Sequence, residues 1–206
     1  MDRLRALDDQ LLLAVNAFAR DTGALHGVVS AYASYGVALF ALLIALGLWV
    51  ARSGPSRTLA AAVWAPLGML LALALNQLVG AAVDERRPYE HFSGLLVLAH
   101  RTTDASFPSD HAVMAGAVAA GLWFVSRRLG AATWVAALAL AFARVYIAAH
   151  YPWDVVAGLL FGGLVTAIGW WLVAGVMTRL VERIRRAPGL DRLFAPHAPA
   201  SGPGNV

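Results

Sequence analysis

Five consecutive residues, Phe107-Pro108-Ser109-Asp110-His111, put a hydroxyl, a carboxyl and an imidazole where a polar loop enters an apolar segment. Two further clusters sit at similar edges: Arg86-Arg87-Pro88 upstream, and Arg144, His150 and Asp154 downstream. Arginine presents a planar fork of donors that matches an oxyanion. Arg144 interrupts an apolar stretch, where a charge costs at least a few kcal/mol unless a partner or polar cavity receives it. Snorkelling, pairing with Asp154, or holding an anion would each meet that cost. His150 and Asp154 lie four residues apart, a spacing at which a carboxylate can orient an imidazole, and a neutral imidazole so held can act as a nucleophile. Pro152 between them suits the first turn of a following helix. Ser109 follows a proline at a helix start, so its hydroxyl either caps that helix or donates to an anion attracted by the free N–H groups there. His111, with a reference pKa near 6.5, suits protonation of a leaving-group oxygen. Arg87 supplies a second fixed cation, and Arg86 is either a further phosphate ligand or its solvated neighbour. The set describes an anion site equipped with a nucleophile and an acid. Neither His-x3-His nor His-Glu-x-x-His spacing occurs, so no metal is expected.

The elements that must position these residues are membrane spans. The chain has 206 residues, 60% of them hydrophobic and 14% charged, against about 45–50% and about 25% in a soluble domain. Its mean hydropathy is +0.66. There is no cysteine, which excludes disulfide and thiolate chemistry, and all 16 basic residues are arginine, which excludes a lysine nucleophile. The pI near 10.1 does not imply nucleic acid. The arginines fall between apolar segments, where positive charge sets topology, and no solvated basic face is left for phosphate contacts.

Taken in order, residues 1–26 mix charge with Leu4, Leu11, Val15 and Phe18 at near-helical spacing, which predicts an amphipathic helix lying at the interface. Residues 27–51 and 58–83 carry no charge, and each exceeds the about 20 residues needed to cross a bilayer. A polar loop over 84–110 holds most of the candidate residues, and its apolar run 95–99 is expected to pack on the bundle. The uncharged run 112–126 reaches span length by including Ser109 to His111, and 129–149 does so by including Arg144. A fifth run covers 155–178. The fold class predicted is therefore all-α, a polytopic membrane bundle of about five transmembrane helices plus the amino-terminal interfacial helix. The organisation is 1–26, a transmembrane domain over 27–186, and a cytoplasmic tail over 187–206, whose Pro, Gly and Ala content predicts disorder. If the carboxy-terminal arginines are cytoplasmic, so are Arg127-Arg128 and the Arg52 to Arg57 turn. All three reactive clusters then face the extracytoplasmic side.

Arg87-Pro88, then Pro108-Ser109-Asp110-His111, then Arg144-x5-His150-x3-Asp154 resemble the three ordered motifs of the type 2 phosphatidic acid phosphatase superfamily. The resemblance spans residues 76–158. Within it, Ser106 to His111 and His150-Tyr151-Pro152-Trp153-Asp154 are similar to the bacitracin-resistance type of undecaprenyl pyrophosphate phosphatase. The resemblance implies a bacterial plasma-membrane enzyme without a cofactor, acting on a lipid phosphate or pyrophosphate. It implies that His150 attacks phosphorus to form a phosphohistidine and that Asp154 orients it. His111 would protonate the leaving group, while Arg87, Ser109 and Arg144 cradle the phosphoryl group. Fixed positive charges would stabilise the transition state. Phosphatidic acid or phosphatidylglycerophosphate is the alternative substrate. Three positions depart from the family pattern: Gly80 stands where a lysine is usual, Ala143 where serine is frequent, and Asp110 where glycine is commonest. Arg86 is the available substitute for the lysine. The missing lysine also motivates a different class of reading, a non-catalytic lipid-phosphate-binding membrane protein.

Overall fold

A computed structural model describes residues 2–187, which are helical with no strand among them. The helices are α1 (Asp2–Asp21), α2 (His26–Ala51), α3 (Ser56–Val83), α4 (Pro88–His91), α5 (Asp110–Val125), α6 (Arg127–Tyr146) and α7 (Pro152–Arg185). Four segments, containing α2, α3, α6 and α7, are long and apolar enough to cross a membrane, and α5 is a fifth, shorter apolar helix. The architecture is a polytopic helical bundle, as the charge-free runs predict. The tail expected to be disordered lies, apart from Ala187, outside the described residues.

Local chemistry sets the boundaries. Pro55 precedes α3, and Pro152 occupies the first turn of α7, where its fixed φ and missing N–H carry no penalty. The side chain of Ser126 accepts the N–H of Leu129 and caps α6. Outward faces of the long helices carry exposed Leu42, Leu138, Leu164, Trp171 and Leu172, an apolar surface that water would penalise and lipid does not.

The core lies on α5, which packs against α7, α3 and α6. Ala112, Val113, Ala115, Ala117, Val118 and Ala119 are all fully buried, so this helix has no solvent or lipid face in its middle. Small residues let α7 approach it to backbone contact. A Cβ on Gly162 would lie 2.0 Å from the Val113 carbonyl oxygen, and one on Gly116 would lie 2.2 Å from that of Leu159. Close backbone approach of this kind is how helices associate where no hydrophobic driving force exists between them and lipid.

Helix α1 presents Leu12, Asn16 and Ala19 inward at helical spacing, while Leu4, Leu11 and Phe18 stay exposed. That is the two-faced helix expected at 1–26, ending at Asp21 before a short 3-10 turn over Gly23–Leu25. Asn16 exchanges both amide hydrogen bonds with the backbone of Leu96, at 2.8 and 3.0 Å. The backbone N–H groups of Leu98 and Ala99 both donate to the Ile147 carbonyl, and Leu95, Leu96 and Leu98 pack into buried clusters. The apolar run inside the long loop therefore docks on the bundle as its composition predicts. At the opposite end, Arg185 donates to the carbonyls of Gly54 and Arg52, joining the end of α7 to the α2–α3 turn.

Candidate active site

Four helix ends converge on one pocket. The chain leaves α3 at Val83, turns through Asp84 at φ 47°, and delivers Arg87 fully into the interior. Helix α5 starts after Ser109 and carries His111 in its first turn. Arg144 projects from the last turn of α6, and the connection to α7 holds His150. That connection bends through Ala148 at φ 58°, a left-handed conformation that costs a side-chain-bearing residue roughly 1–2 kcal/mol. The bend is held by Ala148 N–H donating to Val145 and Ala149 N–H donating to Arg144, at 2.9 and 3.1 Å. A cavity of about 290 Å³ is lined by Arg87, His111, Arg144 and His150, with Ser34, His100, Thr102, Asp104 and Asp110 at its sides.

His150 is buried and bonded on both ring nitrogens. Its Nε2 lies 3.3 Å from Arg87 Nη1 and 3.2 Å from Arg144 Nη2. Guanidinium groups only donate, so Nε2 accepts and carries the lone pair, and the proton resides on Nδ1. That proton goes to the Ser106 carbonyl at 2.9 Å. Burial, then the charges of Arg144 and Arg87, push this imidazole well below the usual histidine range, which keeps it neutral. A neutral ring with its lone pair between two cations has the chemistry to act as a nucleophile.

Asp154 is buried on the first turn of α7. Its Oδ2 accepts the Ser106 hydroxyl at 2.6 Å and the Tyr151 N–H at 2.9 Å, and stands 3.5 Å from His150 Nδ1. Ser109 N–H donates to the Asp154 carbonyl at 3.1 Å, tying α5 to α7. The Ser109 hydroxyl caps nothing: it makes no side-chain cap bond and is buried without a partner. Helix capping, one of the two roles its position allows, is therefore not realised here. Arg144 does not pair with Asp154. Its Nη1 reaches the Ala33 carbonyl at 3.3 Å, and its Nε is buried without a partner.

The structure thus brings Arg87, Ser109, His111, Arg144, His150 and Asp154 together. Arg86 points elsewhere. It is exposed and lines a separate shallow cleft with Asp84, Glu85, Glu90 and Asp104, because consecutive residues in the extended chain before α4 face opposite ways. Gly80 borders a second cavity of about 310 Å³ that adjoins the first through Asp104, Ala105, Pro108 and Asp110.

Several partners were not visible from spacing. Asp104 Oδ2 accepts from Arg87 Nη2 at 2.9 Å. Partial burial raises its carboxyl, but a Thr102 hydrogen bond and the Arg87 charge outweigh that and hold it below the usual range. Asp110 accepts from Asn76 at 2.7 Å and Gln77 at 3.1 Å, giving the aspartate that replaces glycine two amide partners on α3. Asp8 on α1 accepts the Trp153 N–H at 3.0 Å, satisfying a free donor at the start of α7.

Fold and site define a polytopic membrane protein with a buried, arginine-flanked histidine at the mouth of a helical bundle. The PAP2 superfamily profile matches residues 61–177, more than half of the chain, and the chain belongs to that superfamily of membrane phosphatases, hydrolases acting on phosphate esters. It is similar to the undecaprenyl-diphosphatase BcrC of Bacillus subtilis, 27% identical over 159 residues that cover 77% of this chain and 78% of that one. It is also similar to the lipid A 1-phosphatase of Rhizobium etli, 40% identical over 103 residues that cover 48% of this chain and 44% of that one. Among solved structures, LpxE of Aquifex aeolicus shares the fold with a TM-score of 0.58 at 22% identity, covering 80% of this chain and 95% of its own.

Proposed function

We propose that the protein removes the terminal phosphate of a polyprenyl diphosphate through a phosphohistidine intermediate, without a metal. The observation that carries this reading is the His150 Nε2 lone pair held between Arg87 and Arg144 in a buried, neutral ring. The terminal phosphoryl group would take the guanidinium N–H groups that now rest on Nε2, together with the Ser109 hydroxyl. Nε2 forms a bond to phosphorus as the bridging P–O bond breaks, and His111 gives its proton to the departing oxygen. Water then attacks the phosphohistidine with His111 accepting its proton, the P–N bond breaks, and its electron pair returns to Nε2. The arginines neutralise charge spread over the equatorial oxygens in both steps.

The diphosphate assignment draws on the similarity to an undecaprenyl-diphosphatase over three quarters of the chain. A second reading, a lipid monophosphate, draws on the shorter similarity, at higher identity, to a lipid A 1-phosphatase; phosphatidic acid and phosphatidylglycerophosphate belong with it. The arginine-rich end of the bundle, with Arg52, Arg57, Arg127, Arg128, Arg179 and Arg183, supports a cytoplasmic assignment for that end and an extracytoplasmic pocket. The deciding experiment is phosphate release by purified protein, with a chelator present, from undecaprenyl pyrophosphate and from phosphatidic acid, beside His150→Ala. Faster release from the diphosphate, abolished in the variant, is expected. Release that survives His150→Ala would overturn the mechanism. No release from either lipid by the parent would favour the binding-protein reading that Gly80 motivates.

A further inference from the structure

We infer that Ser106 is a positioning residue for the nucleophile, standing between His150 and Asp154 and transmitting the effect of the carboxylate to the imidazole. This rests on the reading that His150 attacks phosphorus.

Ser106 is fully buried and bonded at every polar atom. Its N–H donates to the Glu85 carbonyl at 2.7 Å, two residues before Arg87. Its carbonyl accepts the His150 Nδ1 proton at 2.9 Å, and its hydroxyl donates to Asp154 Oδ2 at 2.6 Å. The alternatives for the Nδ1 proton are the Ser106 hydroxyl and Asp154 Oδ2, both 3.5 Å away. N–H···O bonds cluster near 2.9–3.0 Å and weaken beyond about 3.2 Å, so the carbonyl takes the proton. Asp154 Oδ2 is meanwhile saturated by the serine hydroxyl and the Tyr151 N–H. The order of bonds is therefore ring N–H to serine carbonyl, and serine hydroxyl to carboxylate.

The hydroxyl gives that carbonyl its fixed direction. The partner of one ring nitrogen decides which nitrogen keeps the lone pair. Here the partner is a loop peptide, and a loop peptide holds its aim only if its residue is anchored. With the N–H on Glu85 and the hydroxyl on Asp154, the Ser106 peptide has no free rotation.

The test uses full-length protein in detergent micelles with farnesyl diphosphate as the probe. Four proteins are compared with the parent: Ser106→Ala, Ser106→Cys, Asp154→Asn and the Ser106→Ala/Asp154→Asn double variant. We expect Ser106→Ala to lower kcat by roughly 10- to 100-fold, by analogy with losing the outer hydrogen-bond partner of a metal-ligating histidine. KM and inhibition by inorganic phosphate should stay within about twofold, because the cradle of Arg87, Ser109 and Arg144 is untouched. The double variant should lose little more than the worse single variant, since both act in one chain of bonds. A merely structural serine would move KM, phosphate inhibition and unfolding temperature along with kcat. A kcat within about threefold of the parent, or a double-variant loss equal to the product of the single losses, would overturn the inference. Should Ser106→Ala yield no folded protein, Ser106→Cys keeps the volume, weakens only the donor, and is read by the same criteria. Acid-quenched labelling of the parent with terminally labelled substrate separates the two hypotheses. An unlabelled histidine sinks the phosphohistidine reading, whereas a labelled parent beside an unaffected Ser106→Ala sinks this inference alone.

Discussion

Replacing Gly162 with alanine would separate packing from chemistry in this bundle. The added Cβ would meet the Val113 carbonyl oxygen at 2.0 Å, its carbon at 2.8 Å and the Ala117 nitrogen at 3.0 Å. All three are backbone atoms of α5, so no rotamer change relieves them. Restoring a 3.4 Å contact requires α5 and α7 to part by about 1.4 Å. Overpacking of this kind costs roughly 1–3 kcal/mol, or a fall in unfolding temperature of roughly 2–12 °C for a chain of this size. The site should suffer more than the fold. His111 rides on α5 with Ser109 at its N-cap, and Asp154 rides on α7; misplacement by about 1 Å costs catalysis roughly a hundredfold. Thermal unfolding in detergent and kcat on a polyprenyl diphosphate, measured together, test this. Gly175→Ala is the control on the same helix: nothing lies within 4 Å of its added Cβ, so stability should hold or rise with helix propensity. Gly162→Ala with the parent's unfolding temperature and kcat would refute both the backbone contact and its transmission to the pocket.

Asp8 is buried against α7, and burial pushes its carboxyl up to about 6 from 3.8. A raised folded-state value contributes stability that is present below 3.8 and lost as pH rises through about 6. Asp8→Asn keeps the acceptor for Trp153 without the charge, so it should unfold at a higher temperature than the parent at pH 8 and at the same temperature at pH 4; a gap that does not change with pH would contradict this. His111→Asn should slow an alkyl phosphate monoester by roughly 10²–10⁴-fold and a diphosphate less, because a departing phosphate oxygen is far less basic than an alkoxide. Equal losses on phosphatidic acid and undecaprenyl pyrophosphate would remove His111 from the role of acid. At Gly80 an added Cβ meets only the Phe107 carbonyl, at 3.6 Å, so Gly80→Lys should fold normally and lower KM for the anionic substrate by roughly tenfold. An unchanged KM would show that position 80 does not reach the bound phosphate.

The fold was largely legible because lipid imposes one rule per segment. Charge-free runs at 27–51 and 58–83 became α2 and α3 with boundaries moved by one or two residues. The run at 112–126 was harder, since α5 is too short to count as a span by length and is buried by its neighbours instead of by lipid. Residue types at helix edges pointed to Arg87, Ser109, His111, Arg144, His150 and Asp154, since a charge or imidazole there has few other reasons to exist. Arg86 shows the limit of that logic: type and position match Arg87, but facing in an extended segment is a property of the backbone. Ser106, Asp104 and Asn76 have no signature in spacing, because each makes its contact across the fold, to residues between 17 and 48 positions away. The Ser106 carbonyl carries no side-chain signature at all.

The depth of the pocket has a consequence for how a lipid would reach it. Asp110 opens α5 level with Asn76 and Gln77, and α3 continues from there to Val83, rising about 10 Å further at 1.5 Å per residue. The floor of the pocket at Asp110 therefore lies below the end of α3, whose outer face is apolar. An enzyme that worked above the membrane would have to lift its substrate, exposing methylene groups to water at about 0.8 kcal/mol each. A floor at that depth would let a lipid headgroup descend while its chain stays among other chains, and the desorption cost that burdens water-soluble enzymes acting on lipids would not arise.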